Sequence, residues 1–588
     1  MKAKVPVIVV VFALIAIAAA KNNKLSPELQ NPRGKAVNVI IQFQQAPTAT
    51  QHQKVTNKGG HLKQELSTVK GAAYWLPVKG LKDLANDPDV VYISPDRTLG
   101  ATGAKANNPG ATLDYHTDTV NAPYAWGLGL NGAGIGVAVL DSGIIDIPDL
   151  EGAGLLGTTL TSGYRVIYSQ NFVGNGTGSA NDQYGHGSHV AGIIGGNGSK
   201  STGPQYFYTF NGIAPEVNLI NLRALDQNGQ GTDSSVIAAL QTAIQLKNAY
   251  NIRVINLSLG RPVYESYTLD PLCQAVEAAY QAGIVVVVAA GNDGRDNSVG
   301  TNGYGTITVP GNDPYVITVG AMKTMGTPSR ADDLIATYSS KGPTAIDYFV
   351  KPDLVAPGNR VISLYAPALG LNQLYPGNEI PYLLYKNGNN SNASHTYYML
   401  SGTSMAAPVV SGAVALMLQQ DPSLTPDQVK ARLMKTAYKA FPQYSSYTDP
   451  TTGITYNDQY DVFTVGAGYL DIQAALSDTE TFTGAATSPT VAYDPTSQSV
   501  YFVNNSFAVW GSSSNWSSFA VWGSNAFVNG SFAVWGSSSP WASFAVWGSS
   551  APWGNTADGG FFAVWGSSNA TGSPSNADSV STLINGDN

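Results

Sequence analysis

Residues 135–143 read Ile-Gly-Val-Ala-Val-Leu-Asp-Ser-Gly. An apolar run without alternation is what a strand covered on both faces requires, and this one ends abruptly on Asp141, Ser142 and Gly143. A carboxylate just past the carboxyl end of a parallel strand lies where open α/β sheets gather their functional groups. Taken alone, Asp141 is better read as a helix cap.

Runs of the same kind follow at residues 217–222, 254–259, 284–290 and 315–319, with helical patterns between them at 186–194, 234–246 and 271–281. That alternation predicts an α/β domain over residues 103–476, a parallel sheet with helices on both faces joined by right-handed crossovers. Ahead of it, residues 21–102 hold most of the charge density and predict a small α+β unit. Its strands are expected at 37–43, 63–69, 74–78 and 90–93, with a helical turn at 81–86. At the start, Lys2 and Lys4 precede an apolar run that closes on Ala18-Ala19-Ala20. Residues 1–20 are therefore expected to be a secretory signal, leaving an extracellular product with no membrane segment. An uncleaved anchor is the other reading, but the run falls short of the ~20 residues that span a bilayer.

Residues 477–588 contain no Lys or Arg, the last being Lys439, and repeat Phe-Ala-Val-Trp-Gly-Ser from Phe507, Phe519, Phe532, Phe544 and Phe562. Each copy reads as a short strand of a β-repeat tail. Eight of the ten tryptophans lie here, so an aromatic stack serving as the tail's own core is the favoured reading. The sharper one is a row of Trp510, Trp522, Trp535, Trp547 and Trp565 that binds an insoluble or cell-surface target.

Charged residues are 12% of the chain, hydrophobic ones 43%, and the net charge is −8, which argues against a mainly disordered protein. No long Lys/Arg cluster is present, so a nucleic-acid partner is not expected. Cys273 is the single cysteine, which excludes an intramolecular disulfide framework and any multi-Cys zinc site. It sits on the apolar face of a helical pattern, where a buried unreactive thiol is expected.

Residues 184–192 read Tyr-Gly-His-Gly-Ser-His-Val-Ala-Gly and place His186 at the start of a close-packed helix, with Val190 and Ile194 at i+4 and i+8. His186, His189 and Asp182 as metal ligands is a competing reading, but i and i+3 suit zinc poorly when no further ligand is evident. His189 is expected to be a structural histidine. Residues 401–408 read Ser-Gly-Thr-Ser-Met-Ala-Ala-Pro before a long apolar stretch. With Pro408 in the first turn of a helix, Ser404 is expected in the turn just ahead, its hydroxyl and adjacent N–H at a site that stabilises an oxyanion. By itself Ser404 reads as an N-cap. The combination changes the balance: a serine hydroxyl needs an imidazole to take its proton, and the imidazole needs a carboxylate to hold its tautomer and charge.

The blocks around Asp141, His186 and Ser404, in that order, together with Val287-Val288-Ala289-Ala290-Gly291-Asn292-Asp293, resemble the subtilisin family (subtilases) across residues 135–476. The resemblance implies a subtilisin-like fold and a serine endopeptidase acting through an acyl-enzyme on Ser404. It further implies His186 as general base, Asp141 as the charge-stabilising carboxylate and Asn292 as the side-chain donor to the oxyanion. Ser258-Leu259-Gly260 and Gly229-Gln230-Gly231 resemble the two edges between which the family holds an extended polypeptide substrate. Arg261 stands where many relatives have a second glycine, and reads either as an altered pocket rim or as a solvent-facing loop arginine. Asp149, in Pro148-Asp149-Leu150, matches a family calcium ligand, although the loop at 197–211 is longer than its usual companion. Structural calcium is thus an expectation, with no cofactor for the chemistry.

Residues 21–102 resemble the family's ferredoxin-like propeptide, through Val37-Asn38-Val39-Ile40-Ile41-Gln42-Phe43 and Asp89-Val90-Val91-Tyr92-Ile93. That implies an autoprocessed zymogen inhibited by its own propeptide. Two other classes remain open: a binding protein with a degenerate protease domain that works through the Trp-rich tail, and an esterase using the same triad.

Overall fold

The computed structural model describes residues 24–101, 113–152, 163–174, 176–298, 300–367, 370–450, 452–494, 499–502, 527–528, 531–532 and 587. They form two units, one running to Arg97 and the other starting at Thr98. The expected signal and all the repeat tryptophans lie outside the described residues.

In the first unit, Ala36–Phe43 (β1) is followed by helix Ala49–Asn57 (α1), strands His61–Leu66 (β2) and Gly71–Pro77 (β3), helix Leu81–Ala85 (α2) and strand Val90–Pro95 (β4). The sheet order is β2-β3-β1-β4 and all neighbours are antiparallel, the ferredoxin-like arrangement. Alternate residues Val39, Ile41 and Phe43 of β1 and Ala72, Tyr74 and Leu76 of β3 pack with Val55, Leu81 and Leu84 of the helices. Helix α1 was not foreseen, because Val55 is its one buried residue and no apolar stripe marks it. A capping box between Thr48 and Gln51 starts it instead. The strand expected at 63–69 ends at Leu66, where a 3-10 turn begins.

The second unit opens with Thr98–Gly100 (β5) and is built on the strand that carries Asp141, Gly136–Asp141 (β6). Next come Val166–Asn171 (β7), helix His186–Gly195 (α3), Asn218–Arg223 (β8), Gln230–Thr232 (β9), helix Asp233–Leu246 (α4), Ile252–Leu257 (β10), helix Pro271–Gln281 (α5) and Val285–Ala289 (β11). Ile317–Lys323 (β12), Leu334–Ile335 (β13) and Leu354–Pro357 (β14) complete the sheet. Its order is β13-β12-β11-β10-β6-β8-β7, with β14 also on β12, and it is parallel apart from β13. The expected strands lie within a few residues of these positions, while β7 and β14 had not been recognised. Residues on both faces of β6, β10 and β11 are buried, which is why their sequences run apolar without alternation. Because β6 lies between β8 and β10, the chain changes direction across it, and the crevice of such a sheet opens at the carboxyl ends of these strands.

Helix Thr403–Gln420 (α6) packs on β10, β11, β12 and α3, and every residue from Thr403 to Leu418 is buried. A helix made of small and apolar residues on all sides can only be central. The expected boundary at residue 476 falls inside this unit. Phe482, Ala486 and Val491 are buried, and Ser488 Oγ donates to Asp353 Oδ1 over 2.6 Å and accepts from Lys430 Nζ at 2.9 Å. Of residues 477–588, the described residues show two antiparallel strand pairs, Val491–Asp494 with Ser499–Phe502 and Phe527–Val528 with Ser531–Phe532, the second next to the Asn529-Gly530 dipeptide that favours a hairpin turn. No helix among the described residues is long and apolar enough to cross a membrane.

Candidate active site

Asp141 ends β6 and is buried. Its Oδ1 accepts from the Ser142 N–H and from His186 Nδ1, each at 2.7 Å. His186 is the first residue of α3, and Gly185, at φ 102°, lets the chain turn into the helix. Asp182 holds that turn: its Oδ1 accepts from the N–H groups of Tyr184 (3.0 Å) and Gly185 (2.8 Å) and from Ser142 Oγ (2.8 Å). Its Oδ2 accepts from the Ser188 N–H at 2.8 Å, and Ser142 Oγ accepts from the Gly187 N–H at 2.9 Å, so the two side chains share the open end of α3. The backbones touch as well, since a Cβ on Gly187 would lie 2.2 Å from the Gly143 carbonyl oxygen. Among the described residues, His186 Nε2 has no hydrogen-bond partner.

Ser404 approaches from the other side of the crevice. The helix begins at Thr403, earlier than Pro408 suggested, so Ser404 is its second residue and Pro408 lies inside it. Pro408 has no N–H to give the Ser404 carbonyl, and Ser258 Oγ donates to that carbonyl instead at 2.8 Å. In return, Ser404 Oγ donates to the Ser258 carbonyl at 3.0 Å. Asn292 is fixed by the residue before the serine: its Oδ1 accepts from the Thr403 N–H (2.9 Å) and Thr403 Oγ1 (3.1 Å). The amide's donor end therefore turns toward Gly402. A Cβ on Gly402 would sit 3.2 Å from Asn292 Nδ2 and 3.6 Å from the Ser404 nitrogen. Glycine keeps open a space bordered by two N–H donors, the size and chemistry an oxyanion requires.

Residues 98–101 run along this crevice. Strand β5 pairs antiparallel with β9, Leu99 facing Gly231 and Gly100 facing Gln230. The Ala101 N–H donates to the Gly229 carbonyl at 2.8 Å, and the Gly100 N–H to the Gly260 carbonyl at 3.3 Å. Both expected edges, 229–231 and 258–260, thus flank one extended stretch of the chain, whose Leu99 side chain is buried.

An Asp–His pair, a serine at a helix start and an amide aimed beside it, at neighbouring strand ends, form the arrangement found in subtilases. The Subtilase family model matches residues 132–468, more than half of the chain. The chain belongs to the subtilase family. It is 39% identical over 331 residues to Serine protease AprX of Bacillus subtilis (strain 168), a match covering 55% of this chain and 66% of AprX. It is 30% identical over 442 residues to Subtilisin E of the same strain, covering 74% of this chain and 94% of that one. Among solved structures it is similar to fervidolysin from Fervidobacterium pennivorans, a keratinolytic enzyme related to subtilisin. There the TM-score is 0.54 at 21% identity, over 77% of this chain and 62% of the other, a likeness in fold. This subtilase is a serine protease.

Other expected site residues take different places in it. Arg261 is not solvent-facing: it is buried, with Nε and Nη2 on the two oxygens of Asp233 (2.8 and 2.9 Å) and Nη2 also 2.7 Å from Asp270 Oδ2. It ties the start of α4 to the N-cap of α5. Asp182 is a cap and not a metal ligand, and no cluster able to hold a metal occurs among the described residues. His189 is buried, donates from Nε2 to the Tyr398 carbonyl at 3.0 Å, and burial drives its pKa down to about 3. It stays neutral, as a structural histidine does. Burial likewise pushes the Cys273 thiol up, and its Sγ lies 3.4 Å from Asn312 Oδ1.

Asp149 has the wrong neighbours for calcium. Its Oδ1 accepts from Ser199 Oγ and the Lys200 N–H, both at 2.8 Å, and its Oδ2 accepts from the Tyr397 hydroxyl at 2.6 Å. Calcium needs six to eight oxygens offering lone pairs. Here the surrounding groups offer protons, which do for the buried charge what a cation would.

Proposed function

We propose that this subtilase is a secreted endopeptidase, exported by residues 1–20 and made with residues 21–102 as an inhibitory propeptide that it removes itself. The supporting observation is the stretch at 98–101, held between 229–232 and 260 as an extended substrate would be. In an extended chain, alternate N–H groups face the same edge. With Gly100 on the Gly260 carbonyl, a peptide continuing in antiparallel register would bring the residue two further on to Ser258, whose carbonyl accepts from Ser404 Oγ. A peptide continuing in this register offers Ser404 the bond after Thr102.

In the proposed reaction the substrate N–H takes over the Ser258 carbonyl and Ser404 Oγ turns to His186 Nε2. The hydroxyl oxygen attacks the scissile carbonyl carbon while its proton passes to Nε2, and Asp141 stabilises the resulting imidazolium. The oxyanion forms in the space beside Gly402, accepting from Asn292 Nδ2 and the Ser404 N–H. His186 then protonates the departing amine. Water enters, gives its proton to His186, and hydrolyses the acyl-enzyme, which returns the serine hydroxyl. Extended polypeptides of suitable sequence are the substrates, and the enzyme's own 98–102 is the first of them.

Intact-mass measurement tests this reading. The wild-type enzyme should begin at Gly103, whereas Ser404→Ala should retain residues 21–102. Identical N-termini in the two proteins would overturn self-processing, and undiminished cleavage of a protein substrate by Ser404→Ala would overturn the catalytic assignment.

A further inference from the structure

Asp587, one residue from the end of the chain, is buried in the second unit. Both carboxylate oxygens are matched. Oδ1 accepts from Arg295 Nη2 at 2.6 Å and from Thr337 Oγ1 at 3.0 Å, while Oδ2 accepts from the Thr337 N–H at 2.8 Å and lies 3.1 Å from Lys323 Nζ. The main chain is matched too: the Asp587 N–H donates to Asn359 Oδ1 at 2.8 Å, and Asn359 Nδ2 donates to the Asp587 carbonyl at 3.0 Å. The cations are braced from behind. Tyr456 and Tyr447 lie 4.7 and 5.7 Å from the Arg295 guanidinium, Tyr447 lies 4.7 Å from Lys323 Nζ, and Asp449 Oδ2 lies 3.1 Å from Arg295 Nη1.

Four separated stretches of sequence meet around this one residue. Asn359 pairs with both the N–H and the C=O of one residue, which reads a polypeptide backbone, whereas Arg295, Lys323 and Thr337 read a carboxylate. The two readings are set at a fixed distance. A glutamate would carry its carboxylate about 1.5 Å farther from the backbone pair, so it cannot satisfy both, and an asparagine would bring an NH₂ toward two cations. We infer that this is a binding site for an aspartyl residue within a peptide, built from residues other than the triad and Asn292 and filled in this protein by its own Asp587.

The test uses the full chain carrying Ser404→Ala, so that nothing is digested, with and without Asp587→Ala. A fluorescent hexapeptide matching residues 583–588, Leu-Ile-Asn-Gly-Asp-Asn, is titrated by anisotropy. It should bind the Asp587→Ala chain at least roughly tenfold more tightly than the chain whose own Asp587 fills the site, a difference of about 1.4 kcal/mol. Peptides with glutamate or asparagine in place of the aspartate should bind at least roughly tenfold more weakly than the parent peptide, as expected when one partner of a buried charge pair is altered. Amide exchange at Thr337 should be slower with Asp587 present than in Asp587→Ala, a readout that needs no substitution in the folded body. Equal peptide affinity for the two chains, equal affinity of the aspartate and asparagine peptides, or equal exchange at Thr337 would each overturn the inference.

Discussion

On the α3 side of the crevice the Asp141–His186 hydrogen bond is already made, and Asp182 clamps the turn behind it with bonds to three backbone N–H groups. On the α6 side Ser404 Oγ is hydrogen-bonded to the Ser258 carbonyl and leaves His186 Nε2 without a partner among the described residues. The difference follows from what each group must hold. A buried histidine and carboxylate stabilise one another with no substrate present. The serine hydroxyl, lacking a charged partner, takes whichever acceptor is open, and the Ser258 carbonyl is the one an incoming peptide N–H would claim. One half of the site is preorganised, and in the proposed reaction the substrate completes the other.

The largest effects should come from breaking the halves apart. Ser404→Ala and His186→Ala should each reduce kcat by at least about 10⁴-fold, on a scale set by subtilisin itself, and the double variant should be no worse than the singles. Multiplying losses in the double variant would show that the halves act independently. Asn292→Leu tests the donor on the serine side and should lower kcat about 10²–10³-fold with KM little changed, again subtilisin's own magnitude for such a donor. An equal loss in KM alone would mean that Asn292 binds the ground state.

Two further experiments address the α3 side through stability, in the Ser404→Ala chain. His189 is held neutral down to about pH 3, while an unfolded histidine titrates near about 6.5. Between these values the unfolded chain binds a proton that the folded one does not. Stability should therefore fall by up to about 1.4 kcal/mol per pH unit as the pH drops below about 6.5, and His189→Gln should flatten that slope. Parallel acid profiles for the two proteins in denaturant titrations would refute it. Asp182→Ala should cost about 2 kcal/mol near neutral pH through the uncapped end of α3, with a fall in kcat in the otherwise wild-type enzyme as His186 loses its mounting. Unchanged stability would mean that the turn is held by the helix itself.

The smallest expected effect is a null one. Because protons surround Asp149, adding calcium or a chelator should leave the melting temperature of the Ser404→Ala chain unmoved, whereas Asp149→Ala should lower it. A clear rise with calcium would restore the site implied by the family resemblance.

Strands β6, β8, β10, β11 and β12 and the helix of His186 were legible from the residues alone, because burial on both faces removes alternation; Asp141, His186 and Ser404 stood out because a triad needs three different side chains at strand or helix ends, whereas the role of Asn292 came only from the family resemblance. Helix α1 was not, since a capping box with a single buried residue leaves no periodic trace. Nor were the roles of residues whose partners lie far along the chain. Asp182, weighed as a metal ligand because sequence places it near two histidines, is a local exception, since the conformation of the 182–188 turn puts its oxygens on the N–H groups of Tyr184, Gly185 and Ser188. Arg261 looked like a loop residue until Asp233 and Asp270 closed on it. Asp149 carries the same side chain in a calcium site and in a cage of donors, and Asp587 gives no sign in its own neighbourhood of the cations that receive it. Local pattern determines which residues must be buried and which chemistry is present; the identity of the partner around each buried charge is a contact between distant segments, and that only the tertiary structure decided.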